Sequence, residues 1–278
     1  MPTLDNDWLL AQVMAGESPE SLIRTLEDAG WPPQSALDAV EASLREYLAR
    51  HAHANALPEP VRVPAPIAGN GPARITVGDR EVTVLMSLLH PRVVLFGGLL
   101  SDAECEALIE AGRARLKRST TLNEDTGVDE ANVARTSESA YFFRAETPLI
   151  AALEARIARL LDWPVDHGEA LQVLRYGPGA QYEPHHDYFD AARAGTAATL
   201  ARGGQRVASL VIYLNTPDCG GATVFPQTRL EIGAVRGNAL FFSYDRPHPM
   251  TLSLHAGAPV SAGEKWIATK WLRLGPHR

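Results

Sequence analysis

Apolar positions recur at spacings of three and four through the first fifty residues, the signature of amphipathic helices. A first helix is expected over residues 5–15. Ser18-Pro19-Glu20 then supplies an N-cap, a first-turn proline and an early acid for a second helix, which carries Leu22, Ile23 and Leu26 and stops near Gly30. Pro32-Pro33 opens a third, with Leu37, Val40, Leu44 and Leu48 expected on its inward face. Residues 1–54 thus read as a small all-α three-helix module. Residues 55–72 lose all periodicity and hold Pro58, Pro60, Pro64, Pro66, Gly69 and Gly71, the composition of an extended linker.

Residues 73–278 carry a different pattern. Runs at 75–77 and 81–85 flank Gly78-Asp79-Arg80 as a hairpin, and 92–96 forms a further strand. Ser101 caps a helix reaching about Leu116, and Thr147-Pro148 starts another that ends before Trp163-Pro164. Strands are then expected at 171–176, 207–214, 222–225, 239–242, 250–255 and 265–274, separated by Gly- and Pro-rich turns. Many short strands with flanking helices point to a mainly β sandwich or jelly roll. The Ala- and Gly-rich stretch 191–204 reads as a loop placed to serve as a flexible lid, or as an inert surface excursion.

Charge sharpens the division. The net charge is −7, and nine acids against three basic residues fall within the first 55 positions. An acidic chain lacks the basic surface that nucleic acid demands, so no nucleic-acid partner is expected. No apolar run is long enough for a membrane span, and the acidic start lacks the order of a secretory signal. Two cysteines, Cys105 and Cys219, form no paired motif, so a reducing, cytoplasmic location is expected.

The chemistry concentrates late in the chain. His185 and Asp187 form a His-x-Asp pair, and side chains two apart on a strand share a face. His255 is the candidate third ligand. His248 competes for that role, but its flanking prolines place it in a loop, and His186 should point away. Two histidines and a carboxylate suit non-haem Fe(II), and zinc would accept the same set. Lys265 favours iron. In a strand from 265, Lys265, Thr269 and Trp271 share one face and Lys270 takes the other. A buried lysine calls for an anion, and a dicarboxylate cosubstrate held by Lys265 and Thr269 would supply one.

The segments Leu-Arg-Tyr-Gly-Pro-Gly-Ala-Gln-Tyr-Glu-Pro-His-His-Asp-Tyr-Phe, Gly-Gly-Ala-Thr-Val-Phe-Pro and His-Ala-Gly-Ala-Pro-Val-x-x-Gly-x-Lys-Trp-x-x-x-Lys-Trp occur in that order. Together they resemble prolyl 4-hydroxylase catalytic domains, which are Fe(II)- and 2-oxoglutarate-dependent dioxygenases. The resemblance spans roughly residues 90–274 and leaves out the N-terminal helices. It implies a double-stranded β-helix, iron on His185, Asp187 and His255, and Lys265 on the C5 carboxylate of 2-oxoglutarate. It also implies that Tyr176 hydrogen-bonds 2-oxoglutarate and that Arg135 and Trp271 contact a peptide. O2 would be the cosubstrate and ascorbate a reductant. The expected reaction hydroxylates a C–H bond, foremost of a peptidyl proline, releasing succinate and CO2. Fold and ligands do not fix the substrate. A free amino acid, another side chain or a small metabolite therefore stays open, as does a non-catalytic 2-oxoglutarate- or metal-sensing module.

Overall fold

The computed structural model describes residues 6–54, 57–66, 71–130 and 132–277. The chain divides into two compact units, one up to Glu59 and one from Pro60 onward. The expected helix start at Asp5, and the linker positions 55–56 and 67–70, lie outside the described residues.

The first unit holds three helices, Asn6–Met14, Pro19–Asp28 and Pro33–Ala54. Ser18 caps the second by accepting a hydrogen bond from the Ser21 amide, and Pro19 sits at its first turn. Leu9, Val13, Leu22, Leu26, Ala36 and Val40 form the core. The third helix corrects the sequence reading in part. Val40 is buried and half-buried Leu44 packs on the core as expected, but Leu37 and Leu48 are exposed. Ala36, Ser43 and half-buried Tyr47 complete the inward stripe instead.

In the second unit, a nine-stranded antiparallel sheet dominates. Its order is Arg74–Val77, Arg80–Leu88, Arg92–Gly97, Ala239–Ser243, Arg206–Tyr213, Lys265–Arg273, Leu171–Tyr176, Glu138–Phe142 and Lys117–Arg118. A four-stranded sheet runs Leu230–Ile232, Thr223–Phe225, His255–Gly257 and Tyr182–His185. One face of the large sheet packs on helices Asp102–Arg113 and Pro148–Leu161, burying Leu108, Ile157, Leu210, Trp266 and Ala268. The other face contributes Leu174, Val211, Phe242 and Ile267 to a second core shared with Phe225 and Ile232 of the small sheet. Both helices carry the starts read from sequence: Ser101 and Glu104 make a capping box, and Thr147 caps before Pro148.

Four further readings change. The segment 250–255 is not a strand: Pro249–Thr251 is a 3-10 turn, Leu252 is left-handed, and the strand begins only at His255. His-x-Asp does not lie wholly on a strand, because Tyr182–His185 ends there and Asp187 follows in a bend. The stretch 191–204 folds into short helical turns pinned to the loop at 124–125. Gly195 donates to the Glu124 carbonyl at 2.9 Å, and Arg193 reaches Asp125 at 2.7 Å. The end of the linker also belongs to the second unit. The Val61 amide donates to Asp245 at 2.8 Å, and Val61 and Val63 pack on the larger core.

Candidate active site

Antiparallel pairing places His255 directly opposite His185 in the small sheet. The ring centroids are 4.3 Å apart. His185 Nδ1 lies 2.8 Å from the Glu183 carbonyl, and His255 Nδ1 lies 3.0 Å from that of Ser253. A carbonyl only accepts, so each Nδ1 carries a hydrogen and each Nε2 is the ring nitrogen turned away from the backbone. Both Nε2 atoms converge on Asp187, with His185 Nε2 at 3.7 Å and His255 Nε2 at 3.6 Å from its carboxylate oxygens. Among the described residues this is the one group of three that could hold a metal, its ligand atoms all within 4.8 Å.

Electrostatics prepare the same state. Burial, reinforced by the neighbouring His255, pushes the His185 pKa down to about 3, so the ring stays neutral. Asp187 is held below the usual carboxylate range. Burial alone would raise it, but His255, His185, the Arg206 guanidinium and a Ser209 hydrogen bond outweigh that. Two imidazoles and a carboxylate are the donor set that Fe(II) takes in facial-triad sites, and these three residues fit it.

A cavity runs from this cluster to Lys265, walled by Leu174, Tyr176, Val211, Thr223, Ile267 and Thr269. Lys265 pairs with Tyr176 across neighbouring strands, and its Nζ sits 5.5 Å from the Tyr176 ring centroid and 5.9 Å from that of Tyr213. Among the described residues no carboxylate bonds it, although the side chain is only 2 % exposed. Burial alone lowers its pKa to about 8. An unpaired buried ammonium facing a cavity is suited to pair with an anion. One glycine makes room for it: a Cβ at Gly221, where φ is +71°, would press on Lys265 Cδ at 3.1 Å.

The structure brings every expected site residue to this cavity: His185, Asp187, His255, Lys265, Tyr176, Thr269, Arg135 and Trp271 all line it. Arg135 is buried, donates to Gln172 at 3.1 Å and lies 4.8 Å over the Tyr182 ring. His248 instead caps the 3-10 turn, and His186 stacks on Tyr188 at 4.5 Å. Lys270 does take the other face of the strand, away from the cavity lining. It is as buried as Lys265 and bonds buried Glu154 at 2.5 Å.

Sequence reasoning missed several neighbours. Tyr182 stacks on His185 at 3.6 Å. Arg206 pairs with Glu169 through two bonds of 2.7 and 2.8 Å and lies 4.0 Å over Trp271. Ser209 donates to Asp187 at 2.5 Å. A lone serine in the apolar run 207–214 is the available signal for the last. A second cavity of about 740 Å³ adjoins the first and shares Arg135, Tyr182, Asp187 and Trp271 with it.

Residues 171–273 match the 2OG-Fe(II) oxygenase superfamily. Arabidopsis thaliana "Probable prolyl 4-hydroxylase 3" is 35% identical over 222 residues, covering 72% of this chain and 75% of that protein. "Prolyl 4-hydroxylase 1" of the same plant is 38% identical over 202 residues, covering 66% and 69%. The viral collagen prolyl hydroxylase of Paramecium Bursaria Chlorella virus-1, solved as its 2OG complex, superposes with a TM-score of 0.50 at 30% identity. That match covers 65% of this chain and 95% of the viral one. The motif-bearing strands, the ligand cluster and these relatives agree: the chain belongs to the prolyl 4-hydroxylase family of Fe(II)- and 2-oxoglutarate-dependent dioxygenases.

Proposed function

We propose that this enzyme hydroxylates a peptidyl proline, with His185, Asp187 and His255 as iron ligands and Lys265 as the cosubstrate's anchor. One observation carries the reading: an unpaired buried ammonium and a two-histidine, one-carboxylate cluster share one cavity. Iron(II) with 2-oxoglutarate supplies the oxidising power, as decarboxylation to succinate and CO2 places one atom of O2 in succinate and the other in a C–H bond. Lys265 neutralises the far carboxylate of the cosubstrate. Tyr176, opposite it, and Thr269, further along the same strand as Lys265, add hydroxyls on the same face. The apolar walls Leu174, Val211 and Ile267 keep water from the reacting end.

The adjoining cavity of about 740 Å³ has room for a peptide segment beside the ligand cluster. Arg135 and Trp271 stand where both cavities meet, which supports their assignment to substrate contact. Relatives named as prolyl hydroxylases support proline over other side chains. Ascorbate as reductant and a cytoplasmic setting belong to the same proposal. Cys105 and Cys219 are both free thiols, which suits a reducing compartment. The three-helix region stands in it as a separate module from the dioxygenase domain.

The test is turnover of a proline-containing peptide library with Fe(II), 2-oxoglutarate and O2. Succinate release matched by a gain of one oxygen on a proline is the expected result. Oxygen gained by a free amino acid or metabolite, with none on peptides, would overturn the substrate assignment.

A further inference from the structure

Resting on the iron-ligand reading above, we infer that Ser209 and Tyr244 form a hydrogen-bonded chain that locks the Asp187 carboxylate and leaves one oxygen for the metal. Asp187 needs such a lock. It lies beyond the end of the Tyr182–His185 strand, in a bend, so ladder hydrogen bonds do not fix its backbone as they fix the two histidines. A carboxylate there is free to swing or to bind through both oxygens unless its side chain is held.

The hold comes from the large sheet. Ser209 Oγ sits 2.5 Å from Asp187 Oδ2 and 3.0 Å from the Tyr244 hydroxyl. All three side chains are buried. An ionised carboxylate only accepts, so Ser209 must donate to it, and the serine oxygen then accepts the Tyr244 proton. The direction of both bonds is thereby fixed, and successive donors polarise one another in a dry site. Among the described residues Oδ1 accepts no hydrogen bond, which leaves it as the ligating oxygen. Register sets the chain in place: Ser209 pairs with Phe242 of the strand that ends just before Tyr244, and the Tyr244 amide donates to the Val207 carbonyl at 3.0 Å.

An apolar residue at 209 would serve packing equally well, since the rest of the strand around it is apolar and buried. A hydroxyl at 209 with a second one behind it serves the carboxylate. Ser209 and Tyr244 are positioning residues, acting on the metal through Asp187.

The test uses the whole protein titrated with Co(II) alone, followed by its visible d–d absorption, which reports the ligand field. Wild type should bind one Co(II), and Asp187→Ala should not. Absence of that difference would sink the ligand reading itself, independently of any result at Ser209 or Tyr244. Ser209→Ala should weaken Co(II) binding by about 10–100-fold, the range for groups that hold a ligand, and should change the shape of the spectrum. A spectrum superimposable on wild type, whatever the affinity, overturns the inference. Tyr244→Phe keeps the ring and should weaken binding less, and it should add nothing in the Ser209→Ala background. Additive losses would show two separate effects rather than a chain. If Ser209→Ala does not fold, the Tyr244→Phe spectrum decides, and an unaltered one overturns the inference.

Discussion

Lys265 and Lys270 leave one strand on opposite faces, equally buried, and only Lys270 has an acidic partner. Lys270 closes a buried ion pair with Glu154 against the helix Pro148–Leu161. Lys265 faces the cavity without a counter-ion. Under the proposed function, two lysines five positions apart hold opposite jobs, one in stability and one in binding.

Replacing each should separate those jobs. Lys270→Ala strands the Glu154 carboxylate and should destabilise the fold by about 3–5 kcal/mol, the usual loss when one partner of a buried pair is removed. Lys265→Met strands nothing in the free protein and should leave unfolding in denaturant unchanged or slightly improved. It should raise the 2-oxoglutarate requirement severely, by at least about 100-fold if the charged hydrogen bonds contribute their usual 1.5–3 kcal/mol each. Denaturant melts and succinate assays on both variants decide the matter; equal effects in either assay would contradict the assignment.

The Lys265 pKa, pushed down by burial to about 8 from 10.5, adds a pH signature. Between those values the unfolded chain binds more protons than the folded one, so this group's contribution makes stability rise with pH across that window. Bound dianion reverses the preference by favouring the ammonium. Affinity for 2-oxoglutarate should therefore fall as pH climbs above about 8, and calorimetry should record proton uptake on binding there. Lys265→Met should show neither effect.

Arg135 and Trp271 should affect the peptide more than the cosubstrate. Arg135→Gln removes the cation over Tyr182 and its hydrogen bond to Gln172 while keeping a polar side chain there. Its expected result is a raised KM for peptide, about 10-fold for one lost charged contact, with uncoupled 2-oxoglutarate turnover unchanged. Steady-state kinetics with each substrate varied in turn checks it.

The position of a truncation is also determined. Because residues from Val61 bond and pack onto the larger unit, a protein beginning at Pro60 should keep wild-type uncoupled turnover. One beginning at residue 72 loses those contacts and should melt several degrees lower, since about 1 kcal/mol moves Tm by roughly 2–4 °C at this size. Differential scanning calorimetry of the two proteins distinguishes them.

Local patterns carried much of this protein into view. The caps at Ser18, Ser101 and Thr147 each start a helix as read, because capping needs only neighbours within a turn. Alternation along Lys265–Arg273 correctly puts Lys265, Thr269 and Trp271 on the cavity side, because strand geometry fixes a two-residue period. The His-x-Asp pair and His255 are legible as one candidate cluster because two histidines and a carboxylate make a metal-donor set.

Long-range packing decided the remainder. Whether Lys270 is a spare charge or half of an ion pair depends on Glu154, more than a hundred positions earlier in the chain. Leu37 and Leu48 share the helical spacing of Val40, yet both are exposed and Ala36 takes a core place instead, because the packing of the other two helices decides which part of the stripe is covered. Asp187 has the spacing of a strand residue, but the ladder ends at His185, and a serine on another sheet takes over its restraint. The sequence by itself named the candidate metal ligands and the family, since those rest on residue chemistry and short spacing. Only the tertiary structure showed what holds the ligands in place, because those partners are brought together by sheet register rather than by proximity along the chain.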